Sequence, residues 1–391
     1  NFGQDSSFAN NKTSGSAGAS DANGKGDFYY SPPSGFLALC SADLPDPGID
    51  PAKSEQPADH FNTVLYTGNN STNNITGVGF QPDWVWLKAR NSAVLSHAVF
   101  DVIRGANKSL FPDVTTAENS GVVFPSFDSD GFTVSDTGGN WTNENATNFV
   151  SWNWKAGGSP SNNSNGSITS SVSVNTDAGL SIVSYTGTGS ASTVGHGLTQ
   201  APELILVKNR DDATKNWNVY ATILGNNYLE LNNSIVTFTG ANYFNNTLST
   251  NTVFSVGSLG STNGNSNGMI AYCFHSVDGF SKVGRYISNN SADGPFSYTG
   301  FRPAFLLIKR TQSASANWLI YDDKRDTYNQ MQFALFPNTD GAEYTSNLLH
   351  VDFLSNGFKI RNATYGETNA PSGHVYLYMA FAKQPFKYAN A

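Results

Sequence analysis

Three heptads, PDWVWLK (82–88), PELILVK (202–208) and PAFLLIK (303–309), each run from a proline through five mostly apolar residues to a lysine. Alternate residues of a strand point to opposite faces, so Trp84, Trp86 and Lys88 share one face while Val85 and Leu87 share the other. Both faces are apolar, which predicts a central strand covered by a facing sheet on one side. The other side needs loops, a neighbouring unit or another subunit. The polar turns DDATKNW and SASANW lead into a second strand, making the lysine and the following tryptophan cross-strand neighbours suited to a cation–π contact. DSDGFTV (128–134) and LSNGFKI (354–360) read as tight hairpins, and helical periodicity is weak throughout.

The spacing extends well past the heptads, which is the test of a repeat. Nine residues after each lysine stand His97, Trp217 and Trp318, and three further on Phe100, Tyr220 and Tyr321. Tyr66, Tyr185 and Tyr286 precede the prolines by 16, 17 and 17 residues. Each copy closes on an aromatic strand, FVSWNWKA (149–156), MIAYCFHS (269–276) or YLYMAFAK (376–383). The pattern predicts an all-β chain of three tandem β-sandwich or jelly-roll-like repeats over 61–158, 179–276 and 277–391. Residues 159–178 have the Ser/Asn/Gly-rich composition of a linker, although SITSSVSV alternates enough for an exposed edge strand.

Composition sharpens this reading. The 30 acidic and 22 basic side chains leave a charge of -8, which argues against a nucleic-acid partner. Cys40 and Cys273 lie far apart with no CxxC pair, and the six histidines lack zinc-ligand spacing. No apolar run reaches membrane-spanning length. GNSNG (264–268) matches the serine-hydrolase elbow pattern, but the strand follows it instead of preceding it. No paired-carboxylate ExD motif of a jelly-roll glycosidase occurs, so no catalytic residues, cofactor or metal site are assigned. Asp128 and Asp130 offer a calcium reading of DSDG, with a hairpin turn as the stronger one. Arg90, Arg210 and Arg310 follow the strand lysines. They suit either a bound anion or, because they recur, the fold.

Residues 1–60 lack the repeat pattern. Asn1 to Gln4 (NFGQ) and Pro32 to Leu39 (PPSGFLAL) resemble the closing strands of a SPRY domain, whose remainder would lie upstream. The whole chain resembles a group of marine bacteriophage proteins in which a SPRY-like segment precedes such repeats. The matching residues are Tyr66 to Gly68, Gly79 to Arg90, Asp101 to Gly105, Val150 to Gly158 and Tyr378 to Ala391. The resemblance implies a virion structural protein, a tail fibre or appendage on the phage particle, that binds host-surface glycan without catalysis. It also implies a homotrimer and other virion proteins as partners. A capsid decoration or head-fibre protein and a polysaccharide depolymerase are the alternatives.

If recurring residues build the unit, non-recurring loops give it specificity. Contacts are therefore expected in 105–121, 225–250 and 337–348. Trp141, Tyr243, Phe244 and Tyr344 are the candidate ligand-binding aromatics, because such rings suit stacking on sugars.

Overall fold

The computed structural model describes residues 19–26, 28, 30–135, 141–312, 316–346 and 348–389. In the first unit the apolar and aromatic runs form β1 (Phe61–Thr67), β2 (Asn73–Thr76), β3 (Trp84–Ala89), β4 (Ala98–Asp101), β5 (Ser126–Asp128), β6 (Gly131–Val134) and β7 (Asn148–Trp154). The second holds β8 (Ser161–Asn163), β9 (Ser170–Asn175), β10 (Leu180–Thr186), β11 (Ser192–Gly195), β12 (Leu204–Asn209), β13 (Asn218–Ala221), β14 (Asn227–Glu230), β15 (Phe238–Thr239), β16 (Val253–Val256) and β17 (Gly268–Phe274). The third holds β18 (Ser281–Ile287), β19 (Phe296–Tyr298), β20 (Phe301–Arg310), β21 (Trp318–Asp322), β22 (Phe333–Ala334), β23 (Tyr344–Thr345), β24 (Val351–Leu354), β25 (Gly357–Ile360) and β26 (Val375–Pro385). The fold is all-β, as its sequence pattern predicts.

Four antiparallel strands of each unit share one order: β1-β7-β3-β4, β10-β17-β12-β13 and β18-β26-β20-β21. Their registers correspond too, since Trp84, Leu204 and Phe305 lie opposite Trp154, Phe274 and Phe381. A smaller sheet backs each one: β2-β6-β5, β11-β16 and β19-β25-β24. Val85 and Leu87 bury themselves against Ile75, Phe132 and Val134 of the first small sheet. Ile205 and Val207 do the same against Val194, Phe254 and Val256.

The opposite strand faces meet one another. Trp84, Trp86, Leu204, Leu206, Phe305 and Leu307 belong to one core that runs through all three units. At its centre the equivalent rings Trp154 and Phe274 approach Phe381, with centroids 5.7 and 6.1 Å away. Trp84 stacks on Tyr272 of the second unit at 4.6 Å. The cover that the two-sided strands require thus comes from the neighbouring units of the same chain, and the three sheets close into a ring. Another subunit is not needed to cover these faces. Removing one such ring, as in Trp154→Ala, is expected to cost roughly 3–5 kcal/mol because it leaves a cavity between units.

One local reading changes here. Residues 159–178 are not a free linker: β8 and β9 extend the second sheet, and β9 pairs along β10 from Leu180↔Asn175 to Tyr185↔Ser170. The alternating SITSSVSV pattern outweighs its small, polar composition because β10 already offers an open edge. Both expected hairpins are tight, with two-residue loops Ser129-Asp130 and Ser355-Asn356, since Asp128 pairs Gly131 and Leu354 pairs Gly357. Close approach to a neighbouring strand demands these glycines: a Cβ on Gly131 would lie 2.0 Å from the Ile75 carbonyl oxygen and one on Gly357 2.1 Å from that of Ser297.

The SPRY-like reading divides: Asn1 to Gln4 lie outside the described residues, and Pro32 to Leu39 form turns without a strand. Segment 41–60 instead straps onto the third unit. Gly48 N–H bonds the Asp278 carbonyl at 2.8 Å, Lys387 Nζ the Leu44 carbonyl at 2.9 Å, and the Tyr388 hydroxyl the Asp50 carboxylate at 2.8 Å.

Candidate functional site

The ring is held by bonds that repeat from joint to joint. Trp217 Nε1 of unit two donates to the Phe111 carbonyl of unit one at 2.9 Å, and Trp318 Nε1 of unit three to the Glu230 carbonyl of unit two at 2.9 Å. His97 takes the corresponding place in unit one. Its Nδ1 accepts from Trp86 Nε1 at 3.0 Å, which leaves the proton on Nε2 to donate to the Phe336 carbonyl of unit three at 3.1 Å. Burial, with Lys88 and Arg325 nearby, holds the imidazole well below its usual range. His97 is therefore a neutral joint residue.

Charged joints follow the same cycle, but only twice. Arg210 grips Glu118 with Nε and Nη2 at 2.9 Å each, and Arg90 grips Glu343 at 3.0 and 2.9 Å. Behind each glutamate stands an i,i+3 pair buried from solvent, Arg104 on Asp101 and Arg325 on Asp322. The neighbouring unit completes each pair, because Tyr272 donates to Asp101 at 2.7 Å and Trp152 Nε1 to Asp322 at 3.0 Å. Burial opposes charge on Arg104 and Arg325, and the adjacent aspartates outweigh it and raise both guanidinium values.

At the joint between units two and three every one of these groups is absent together. Backbone bonds fix the correspondence: Glu118 N bonds the Arg210 carbonyl, Glu343 N the Arg90 carbonyl, and Thr237 N the Thr311 carbonyl. Thr237 and Thr311 thus replace a carboxylate and an arginine. By strand register Ala221 stands where Asp101 and Asp322 do, and Met379 where Tyr272 and Trp152 do. A donor without its acceptor would be buried unsatisfied, so losing both partners is the arrangement that keeps the joint viable. Arg310 is displaced by one position from the arginine series; it lies on β20 and donates to the Ala370 carbonyl at 2.8 Å.

The three heptad lysines are also interior. Lys88, Lys208 and Lys309 bond the carbonyls of Leu95, Lys215 and Ala316 in their own units. Lys88 and Lys208 reach across a joint as well, to Asp340 at 3.0 Å and Thr115 at 2.7 Å. Burial lowers the three amines to about 8, about 8 and about 7. Lys309 lies opposite Trp318, 5.9 Å from the ring centroid, which is the cation–π placement expected from the sequence.

The variable loops therefore serve the joints: Phe111, Thr115 and Glu118 lie in 105–121, Glu230 and Thr237 in 225–250, and Asp340 and Glu343 in 337–348. They differ in sequence because each fits a different neighbour. Of the candidate aromatics, Phe244 is a correction, for it is buried against Tyr220 and Tyr228. Tyr243 is half-buried against Phe238 at 4.7 Å. Tyr344 is 42 % exposed on β23. Trp141 is half-buried, edge-on to Phe111 at 5.5 Å, and lines a recess of about 360 Å³. Trp141 belongs to the first unit, Tyr243 and Phe244 to the second and Tyr344 to the third.

Asp128 and Asp130 are engaged in the hairpin. Asp130 accepts from the amides of Gly77 and Gly79 at 3.1 and 2.6 Å, and Asp128 from Ser126 and Thr133 at 2.7 Å each. GNSNG turns directly into β17, with Ser266 at φ 59°.

One recurring device is missing from the sequence reading. Thr142-Asn143, Thr262-Asn263 and Thr368-Asn369 are equivalent, and the three Thr carbonyls accept from Tyr66, Tyr185 and Tyr286 at 2.6, 2.5 and 2.7 Å. Each Asn accepts one loop amide, from Asn69, Thr188 or Asn289, and donates to the carbonyl of Ser71, Ser190 or Ser291. The repeated Thr-Asn dipeptide was the available signal. No curated protein and no solved structure matches the chain. The family model described as "Domain of unknown function (DUF7483)" matches residues 56–385, so the three units fall within one family domain and the chain belongs to the DUF7483 family.

Proposed function

We propose that the chain is a structural protein of a phage particle, a tail fibre or related appendage, that binds host-surface glycan through surface loops and performs no catalysis. The supporting observation is the use made of its interior charges. The buried lysines, arginines and aspartates at the joints bond across or beside them, where they hold a rigid scaffold together. Rings such as Trp141 and Tyr344 remain at the surface of that scaffold. A rigid β framework with aromatic loop residues suits carbohydrate recognition. A glycan array probed with the intact chain tests the reading, and an array without a single bound glycan overturns its glycan part.

A second reading, a capsid decoration or head-fibre protein, draws on exposed apolar residues of unit three. Ile287, Phe296 and Tyr298 are 57, 45 and 58 % exposed and suit contact with other virion subunits. Electron microscopy of intact particles with a label at Ala391 separates head from tail. Release of reducing ends from envelope glycan would favour a depolymerase instead. Sedimentation of the purified chain decides between a monomer and the homotrimer implied by the phage resemblance.

A further inference from the structure

We propose that the recess lined by Trp141 binds one pyranose ring of an N-acetylated amino sugar. The ligand class rests on the glycan reading above, whereas the location rests on the geometry. The ring in question is exceptional in this chain. Of seven tryptophans, Trp84, Trp86, Trp152, Trp154, Trp217 and Trp318 are at most 1 % exposed, and Trp141 alone is half-buried. The fold does not need an indole there: Ser261 and Glu367 occupy the position before Thr-Asn in the other two units. Trp141 Nε1 is withdrawn from solvent without a hydrogen-bond partner among the described residues. Trp84 and Trp154 share that property, but they do so inside the closed central core.

The surroundings narrow the ligand. Val94, Leu95, Phe111 and Val114 give the recess an apolar wall, and Ser96, Thr116 and Asn119 supply hydroxyl and amide groups. A pyranose stacks its C–H face on an aromatic ring, and hydroxyls around its edge bond such polar groups. A plain hexose would set hydroxyls against the valines and leucine, which costs desolvation without return. An acetamido substituent supplies a methyl for the apolar wall and an amide for Asn119 or Thr116. Acidic sugars are disfavoured, because no lysine or arginine is among the described residues that line the recess and Asp113 adjoins Val114 of its wall.

The test titrates the full chain with the methyl glycosides of N-acetylglucosamine, glucose and glucuronic acid, read by tryptophan fluorescence and saturation-transfer NMR. The N-acetyl glycoside is expected to bind in preference to the other two. Trp141→Ser, which copies Ser261, should weaken that binding about tenfold or more, since it removes the stacking face. Trp141→Phe should retain most of it, and Tyr328→Ala, at an exposed ring of the third unit, should leave it unchanged. Binding that survives Trp141→Ser overturns the recess while leaving glycan recognition to another surface. The same holds if no glycoside binds but the intact chain still captures glycans on the array. Preference for glucose or glucuronic acid overturns the ligand class, and silence in both assays removes the recess and the glycan reading together.

Discussion

Arg210 of the second unit holds both carboxylate oxygens of Glu118 in the first, with Nε and Nη2 each at 2.9 Å. The corresponding pair at the next joint is Thr237 and Thr311, so one chain contains both the charged and the neutral solution. Glu118→Thr alone leaves Arg210, with its side chain 22 % exposed, and the fully buried Arg104 without their shared acceptor. We expect a loss of about 1–3 kcal/mol in urea denaturation. Glu118→Thr with Arg210→Thr should recover part of that loss. A double-mutant cycle without coupling between the two sites would show that the pair does not act as a unit.

The same logic governs Asp101 and Tyr272. Tyr272→Phe removes one donor from a buried carboxylate that keeps Arg104 and two backbone amides, so the expected cost is about 1–2 kcal/mol. Asp101→Ala should cost more, about 3–5 kcal/mol, because it strands a buried guanidinium. Met379→Tyr should also destabilise, since it brings a hydroxyl to a joint where Ala221 offers no acceptor. Thermal melts of the three variants check the order, and a harmless Met379→Tyr would contradict the correspondence of the joints.

The strands were legible in the sequence because their pattern is set by burial on two faces, and Trp84 and Val85 reveal those faces by simple alternation. The cover on the inner face was one of three open choices, for nothing local to PDWVWLK says that Tyr272, roughly two hundred residues later, will stack on Trp84. The loops carry a second role that the sequence does not display, for a related reason. Sequence difference marks a loop as adapted to something, but Glu118 and Thr237 are adapted to neighbouring units within the chain. Phe244 reads as a candidate contact because its segment differs between the copies, whereas a four-residue helix, Ala241–Phe244, turns it inward.

His97 predicts a pH dependence. Its folded pKa is lowered, so the unfolded chain binds this proton more readily than the folded one. Stability from His97 is complete above the unfolded value of 6.5 and falls as the pH drops below it. The slope is about 1.4 kcal/mol per pH unit until the folded value is reached. His60 and His196, also lowered by burial, add to the slope, so the comparison must be differential. His97→Trp copies the residue at the other two joints and removes this titration, although it deprives Trp86 Nε1 of its acceptor. Unfolding free energies between about pH 6.5 and 5 should fall less steeply in the variant than in the parent chain; parallel curves would mean that His97 does not resist protonation.

The Thr-Asn device supplies the last prediction. Asn263 Nδ2 reaches three oxygens, the carbonyls of Gly257 and Ser190 at 2.8 and 2.6 Å and more loosely the Thr188 hydroxyl at 3.3 Å, while Oδ1 takes the Thr188 amide at 2.8 Å. Two of these four partners are backbone carbonyls. Asn263→Asp keeps the acceptor and the size but turns a carboxylate oxygen toward them. It should therefore cost about as much as Asn263→Ala, roughly 2–4 kcal/mol, since buried carbonyls facing a carboxylate are worse off than carbonyls left unpaired. Asn143→Asp and Asn369→Asp should behave alike, because Ser71 and Ser291 present their carbonyls to the same amide. If the three aspartate variants melt with the parent chain, the amides are not what ties the tyrosine loops to the last strands.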